Sequence, residues 1–352
     1  MIRENTRKLM VGNVQIGHQN KIIIQSMTNT KTHNVTDTVN QIKELEQNGC
    51  QLVRLAVLDE SDAKAISEIK KHVSIPLIAD IHFNISLALI AVDNSIDKIR
   101  INPGNINDYD LLKVLVEKCK EKNIPIRIGI NSGSIEKHIL EKYKKPTAEA
   151  MIESAKHHVK FLTDLDFHNI CLSFKSSEVP LTIEVYQKAS KIFDYPLHLG
   201  VTEAGTFTSS SIKSSAALGT LISQGIGDTI RISVTANPVK ELIIAKQLLK
   251  AFNLINNTPN LISCPTCGRI QYDMIPIAIE IEQFLSTINS DITVAIMGCP
   301  VNGPQEASRA DIGIAGGKSH GLLFKKGVHI RNIPSKDLAN ELKKEILLMI
   351  KD

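Results

Sequence analysis

From residue 21 to about residue 250, short β-branched runs alternate with polar stretches of helical period, and the unit repeats eight times. The apolar runs begin near Ile22, Leu52, Leu77, Lys98, Pro125, Asn169, Pro196 and Thr229. Amphipathic helices are expected between them, among others over 36–47, 61–72, 110–122, 148–165 and 209–224. Strands alternating with helices predict parallel pairing through helical crossovers. An open doubly wound sheet is the alternative; a count of eight selects a (β/α)8 TIM barrel. The polar run 253–260, with Asn256-Asn257-Thr258-Pro259-Asn260, reads as a linker between a barrel over 1–252 and a second domain over 261–352. In the second domain the pattern gives a helix over 272–288, a strand over 292–296, strands around Ile312 and Leu322, and a closing helix over 334–350. That is a small α+β unit of about 90 residues, a size at which a bound metal helps hold a fold together.

Composition narrows the function classes. The chain has 352 residues, no Trp and 4% aromatics, which argues against stacking platforms for single-stranded nucleic acid. A net charge of +4 suits anionic small ligands as readily as nucleic acid. No apolar stretch reaches the roughly 18 residues needed to span a bilayer. The start of the chain lacks the apolar core of a signal peptide. Six cysteines, scattered apart from one pair, make a poor disulfide framework and point to a reducing compartment. The expectation is a cytoplasmic protein with neither nucleic-acid nor membrane partners.

The ends of the predicted strands carry the candidate chemistry. Just after the apolar runs stand Ser26, Arg54, Asp80 with His82, Arg100 with Asn102, Arg127 with Asn131, Lys175, Glu203, and Arg231 with Ser233. Strand C-termini of a barrel face one mouth, so these groups converge there. One charge after a strand is ordinarily a solvated loop residue, but all eight strand ends carry polar groups. Four arginines and a lysine aimed at one cavity need an anion, and phosphate or diphosphate matches forked guanidinium groups.

A second constellation lies near the C-terminus. Cys264-Pro265-Thr266-Cys267-Gly268-Arg269 is followed by Gly298-Cys299-Pro300-Val301-Asn302-Gly303-Pro304-Gln305-Glu306. A Cys-x-x-Cys turn offers two thiolates to one centre, and a distant third closes the site. The fourth ligand stays open on chemistry alone. Zinc would take a His such as His320 or His329, whereas an iron–sulfur cluster could accept the carboxylate of Glu306. The other thiols, Cys50, Cys119 and Cys171, read as buried and inert. Gly225-Ile226-Gly227-Asp228 precedes a strand, so it reads as a helix-ending turn, and 313–317 reads as a hairpin turn.

These residues also carry a resemblance. Gln25-Ser26-Met27-Thr28-Asn29-Thr30, Ala79-Asp80-Ile81-His82-Phe83, Arg100-Ile101-Asn102-Pro103-Gly104-Asn105 and Arg127-Ile128-Gly129-Ile130-Asn131-Ser132-Gly133-Ser134 resemble blocks of the 4-hydroxy-3-methylbut-2-enyl diphosphate synthase family. So do Ser173-Phe174-Lys175, His198-Leu199-Gly200-Val201-Thr202-Glu203-Ala204-Gly205, Gly225-Ile226-Gly227-Asp228-Thr229-Ile230-Arg231, both cysteine motifs, and 310–317. The likeness runs in order along nearly the whole chain and is to the compact two-domain bacterial form.

The resemblance implies a step of the non-mevalonate isoprenoid pathway: reductive ring opening and dehydroxylation of a methylerythritol cyclodiphosphate to the linear allylic diphosphate. It implies a [4Fe-4S] cluster on Cys264, Cys267, Cys299 and Glu306, a homodimer, and ferredoxin or flavodoxin as electron donor. Substrate contacts fall to Arg54, Asp80, His82, Arg100, Arg127, Asn131, Lys175, Arg231 and Ser233. Glu203 is expected as the acid for the departing hydroxyl and Asn302 as a substrate contact beside the cluster. The sequence departs from the family pattern at Gln305, beside the expected ligand, and at Asn84, Glu178 and Asn237, where helix capping is the expected role.

Overall fold

The computed structural model describes residues 5–82, 84–102, 108–299 and 308–350. The chain divides into two compact units, Met1–Phe252 and Asn253–Asp352.

The first unit opens with a hairpin, β1 (Leu9–Val11) and β2 (Val14–Ile16), turned at Gly12 with φ +54°. Eight parallel strands follow: β3 (Ile23–Met27), β4 (Leu52–Ala56), β5 (Leu77–Ile81), β6 (Lys98–Ile101), β7 (Ile126–Asn131), β8 (Ile170–Lys175), β9 (His198–Leu199) and β10 (Thr229–Ile230). They pair in the order β8-β7-β6-β5-β4-β3-β10-β9. A Leu172–Leu197 bridge between β8 and the segment entering β9, with Leu172 N–H donating to the Pro196 carbonyl at 2.9 Å, brings the two ends of the sheet together. This is the expected TIM barrel.

The crossover helices start where short polar side chains cap them. Asn34, Asp59, Asn84, Asp108 and Thr147 each accept a backbone N–H from the first turn that follows. Asn237 likewise accepts from the N–H of Val239, the first residue of helix Val239–Ala251. Glu178 departs from expectation: it precedes helix Val179–Ile192 but makes no side-chain cap, and Pro180 near the helix start leaves one fewer N–H to satisfy. The hairpin closes one end of the barrel. Leu9, Val11 and Ile16 pack with Ile23, Leu52, Ile78 and Cys171 in one buried cluster.

The second unit is a five-stranded sheet in the order β11 (Asn260–Ser263), β12 (Thr293–Met297), β13 (Ile312–Ala315), β14 (His320–Lys325), β15 (Val328–Pro334). The first three strands run parallel, and β14 pairs antiparallel with both β13 and β15. Helices Met274–Leu285 and Leu338–Met349 pack through Ile281, Leu285, Leu338, Leu342 and Ile346 onto Val294, Ile296, Ile312, Ile314 and Leu323. The stretch 313–317 is not simply a turn. Gly313 lies within β13, where a Cβ would stand 2.5 Å from the Phe324 ring, and only Gly316 and Gly317 enter the turn. The expected linker ends inside a strand, since Asn260 is the first residue of β11. His320 and His329 lie on the β14–β15 hairpin, as the pattern predicted. No helix among the described residues is long and apolar enough to cross a membrane.

Candidate active site

Pairing register sets the character of the barrel interior. Side chains alternate along a strand, and register partners on neighbouring strands share a face. The register runs Met27–Arg54–Ile78–Lys98 across one row and Ala56–Asp80–Arg100–Arg127–Cys171 across the next, with Asn131 beside Lys175. The strand-end groups therefore share one face with the apolar residues that meet the hairpin. Above that apolar end, the interior turns cationic.

Asp80 organises part of this charge. Its carboxylate accepts from Arg100 Nη1 at 3.0 Å and stands 3.5 Å from Arg54 Nε and 3.4 Å from His82 Nε2. Burial pushes that carboxyl up, but the Arg54 charge, the His82 contact and the Arg100 charge outweigh it and hold it well below the usual range. Arg54 also donates from Nε and Nη2 to the Met27 sulfur at 3.1 and 3.0 Å. Arg231 is held by Glu241, donating from Nη2 at 2.9 Å, and Ser26 donates to the same carboxylate at 2.7 Å. Ser26 is thus engaged with helix Val239–Ala251 and is not a group of the mouth.

Several other buried polar atoms have no hydrogen-bond partner among the described residues. Arg127 is fully buried, and all three guanidinium nitrogens lack a hydrogen-bond partner. So do Arg100 Nε, Lys98 Nζ, His198 Nε2 and both polar atoms of Gln25. Lys175 makes no ion pair or hydrogen bond among the described residues. Burial pushes its amine well below the ordinary value, and the charges of Arg54, Arg127, Arg231 and Arg100 push it further. Arg127 falls to about 10, from burial and then from Arg100. His198 is driven well below the ordinary imidazole value by burial, then by Arg127, Lys175, Lys98 and Arg54, so it is neutral. Gly129 lets Arg100 in, since a Cβ there would stand 2.7 Å from Arg100 Nε. Six cations (Arg54, Lys98, Arg100, Arg127, Lys175, Arg231) formally face two carboxylates, Asp80 and Glu241. An excess of four buried positive charges calls for a polyanion.

Lys98, His198 and Glu241 were not legible as site residues from strand ends alone. Lys98 and Arg100 sit two apart, so period-two reading of Lys98-Ile99-Arg100-Ile101 puts both on the inner face. Glu241 lies on a helix and meets Ser26 from 215 residues away, a pairing that no local pattern carries. His82 and Asn131 are half-buried at the strand ends, and Ser233 accepts from Ser210 Oγ through its carbonyl at 2.7 Å. Glu203 is exposed, with φ +53°, in a loop held by Ser209 Oγ donating to the Ala204 carbonyl and Thr235 N–H donating to the Gly205 carbonyl. It forms no ion pair with a neighbouring arginine among the described residues.

In the second unit, parallel pairing explains how thiols far apart in sequence meet. β11 and β12 are neighbours with Ser263 beside Ile296, so Cys264 and Gly298-Cys299 leave the same end of the sheet. Cys264 N–H donates to the Ile296 carbonyl at 3.2 Å, and Gln271 N–H donates to the Gly298 carbonyl at 3.3 Å. The Gly298 N–H donates to Cys264 Sγ at 3.1 Å, a contact suited to a metal-bound thiolate. Cys264 and Cys299 are half-buried, Cys267 is exposed, and no disulfide joins the six cysteines. The three sulfurs do not all lie within 4.8 Å of one another; the one His/Cys/Asp/Glu trio that does, among the described residues, is His33, Asp59 and Asp62. In that trio Asp62 and Asp59 are occupied by backbone N–H groups of a helix start. His320 and His329 bond Ser319 and Asn332 instead of approaching the thiols. Asn302, Gln305 and Glu306 lie outside the described residues. Cys50, Cys119 and Cys171 are buried as expected, and burial pushes the thiols of Cys50 and Cys119 up to about 12.

A parallel (β/α)8 barrel whose strand ends gather buried cationic groups, followed by a small sheet with three thiols at one end, defines a two-domain barrel enzyme. The comparisons narrow that class: the GcpE TIM-barrel domain matches residues 6–246 and the GcpE protein C-terminal domain matches residues 260–347. The chain belongs to the GcpE family. It is 57% identical over 344 residues to the 4-hydroxy-3-methylbut-2-en-1-yl diphosphate synthase (flavodoxin) of Bacillus cytotoxicus, covering 98% of this chain and 94% of that protein. The same identity and coverage hold for the enzyme of that name from Bacillus mycoides. Among solved structures, the dihydropteroate synthases of Yersinia pestis and Stenotrophomonas maltophilia each superpose with a TM-score of 0.51 at 12% identity. They cover 70% of this chain and 99% and 98% of their own, a likeness of fold alone.

Proposed function

We propose that the chain is a 4-hydroxy-3-methylbut-2-enyl diphosphate synthase, reductively opening and dehydroxylating 2-C-methyl-D-erythritol 2,4-cyclodiphosphate. The observation that carries this reading is the inner face of the barrel. Arg127 and Lys175 are buried with no acceptor among the described residues, and Lys98 is buried against the Cys171 thiol, a weak acceptor, beside arginines already paired to Asp80 and Glu241. A diphosphate supplies the acceptors and the negative charge that this set lacks. The relatives' names, which specify a diphosphate product, support the same guest.

In this reading residues 1–252 bind substrate, 253–260 link, and 261–352 hold a [4Fe-4S] cluster through Cys264, Cys267, Cys299 and Glu306. The thiol geometry fits such a group. Cys264 and Cys299 leave the same end of the adjacent strands β11 and β12, and Cys267 follows Cys264 by three residues. The Gly298 N–H aimed at Cys264 Sγ adds the hydrogen bond that tunes a cluster sulfur. When bound, the cluster supplies the two electrons, one at a time. The donor is flavodoxin, which the relatives' names print, or ferredoxin. The proposal includes a homodimer in the reducing cytoplasm.

The chain's own residues account for binding and protons. Arg54, Arg100, Arg127, Lys175 and Arg231, with His82, Asn131 and Ser233, hold the diphosphate, and Asp80 fixes the Arg54 and Arg100 forks. Glu203 holds a proton for the departing hydroxyl, because water leaves far more readily than hydroxide. Its carboxylate is exposed and makes no ion pair or hydrogen bond among the described residues. Asn302 contacts the substrate. The test is anaerobic turnover of the cyclic substrate, followed by phosphorus NMR. The linear diphosphate is expected. Arg127→Ala should raise KM about ten- to a hundredfold, as loss of a charge-assisted contact implies. Glu203→Gln should lower kcat with KM little changed. Wild-type values for both variants would remove these assignments.

A further inference from the structure

Deepening the cluster reading, we propose that Tyr272 is a positioning residue that locks the Cys-x-x-Cys turn against the strand end carrying the third thiol. Tyr272 lies five residues after Cys267, immediately before helix Met274–Leu285. Its hydroxyl donates to the Met297 carbonyl at 3.1 Å, two residues before Cys299. The same carbonyl accepts the N–H of Gly316 at 3.0 Å, so three chain segments converge on one oxygen: the thiol turn, the end of β12 and the end of β13.

Gly316 makes the arrangement possible. A Cβ at that position would stand 1.9 Å from Tyr272 Cδ1 and Cε1, so the ring lies flat against bare backbone. Backbone bonds on either side, Cys264 N–H to Ile296 and Gln271 N–H to Gly298, fix the ends of the turn, while Tyr272 is the side chain that ties it down. The contact that gains is the Gly298 N–H to Cys264 Sγ, whose length depends on β12 and the turn keeping their register. A loose turn would let the paired thiols drift from Cys299, and a site that takes several irons tolerates less drift than a flexible loop allows.

The phenol hydroxyl is spent on a backbone carbonyl and not on a thiol, so its effect should appear in cluster retention ahead of chemistry. In anaerobically prepared holoprotein, Tyr272→Phe should lose its cluster to an iron chelator about two- to tenfold faster than wild type, the range a single net hydrogen bond implies. Gly316→Ala, which displaces the ring, should lose it faster still. Ile346→Val is the matched control: it lies on neither thiol segment and removes a methylene from the helix-covered core that Cys264 and Tyr272 border. Retention at the wild-type rate in the control, with faster loss in Tyr272→Phe, is the expected result. Equal loss in both would mean that Tyr272 supports only the fold, and unchanged loss in Tyr272→Phe would equally overturn the proposal. Amide hydrogen exchange on cluster-free protein decides the lock independently of iron. Exchange at Gly298 and Gly316 should quicken in Tyr272→Phe, and an unchanged rate would overturn the proposal. A wild-type protein that never took up iron would instead contradict the cluster reading, with the exchange comparison still deciding the lock.

Discussion

At the scale of single residues, the barrel interior is under electrostatic strain that a ligand should relieve. Lys98 shows the cost most plainly. Its amine is fully buried beside Arg127, and the neighbouring Cys171 thiol, a weak acceptor, favours the charge. Replacing a buried, unmatched cation by an apolar residue of similar shape is commonly neutral or stabilising. Lys98→Met should therefore stabilise the ligand-free protein by about 1–3 kcal/mol in urea unfolding, while weakening diphosphate binding. A loss of stability would show that the amine has a partner after all. Lys175 gives a second test through protons. Its folded value is depressed well below 10.5, so between the two values the folded chain holds fewer protons than the unfolded one. Stability then rises with pH across that window, and is lost as pH falls through the depressed value. A bound diphosphate restores the charged amine, so binding inorganic diphosphate within the window should take up protons. Calorimetry in two buffers of different ionisation enthalpy measures this, and zero uptake at every pH would contradict it.

At the scale of elements, what could be read in advance depended on how local the signal was. The eight barrel strands were legible because each is a short apolar run between helical stretches. Cations at their ends were legible because strand termini share one mouth. The β1–β2 hairpin carried a signal in Val11-Gly12-Asn13-Val14, a two-residue turn between apolar residues, yet its role as a barrel plug depends on packing against Ile23, Leu52 and Ile78. The partner of Arg231 was invisible for the same reason, since Glu241 reaches it from a helix. Asn84 and Asn237 cap as short polar side chains do, but the longer Glu178 does not. Glu136 is another contact made only by the fold. It sits before helix Lys137–Tyr143 and bonds His158 on helix Ala148–Asp164. Burial pushes its carboxyl up, but the His158 and Ser154 hydrogen bonds prevail and bring it down to about 2. That contribution is full above the ordinary value near 4.5 and is lost as pH falls toward about 2. Glu136→Gln should lower stability near neutral pH by about 1–3 kcal/mol and flatten the acid side of the stability curve. An unchanged acid slope would mean that other carboxylates govern acid unfolding.

At the scale of the whole molecule, two constellations of opposite character stand on separate units of one chain. The barrel offers buried positive charge with few counter-ions, and the smaller sheet offers three thiols at the ends of adjacent parallel strands. Residue chemistry alone left zinc and an iron–sulfur cluster open, because ligand identity is not a matter of spacing, and the family resemblance implied the cluster. Strand pairing brings Cys264 and Cys299 to one end of the sheet, and membership of the GcpE family supports the cluster reading. The central claim is that the thiols hold a redox cluster serving the anion site. Anaerobic purification with visible absorption and metal analysis tests it most directly. The account predicts brown protein with broad absorption near roughly 400 nm and about four irons and four sulfides per chain. Colourless protein carrying one zinc per chain would contradict it.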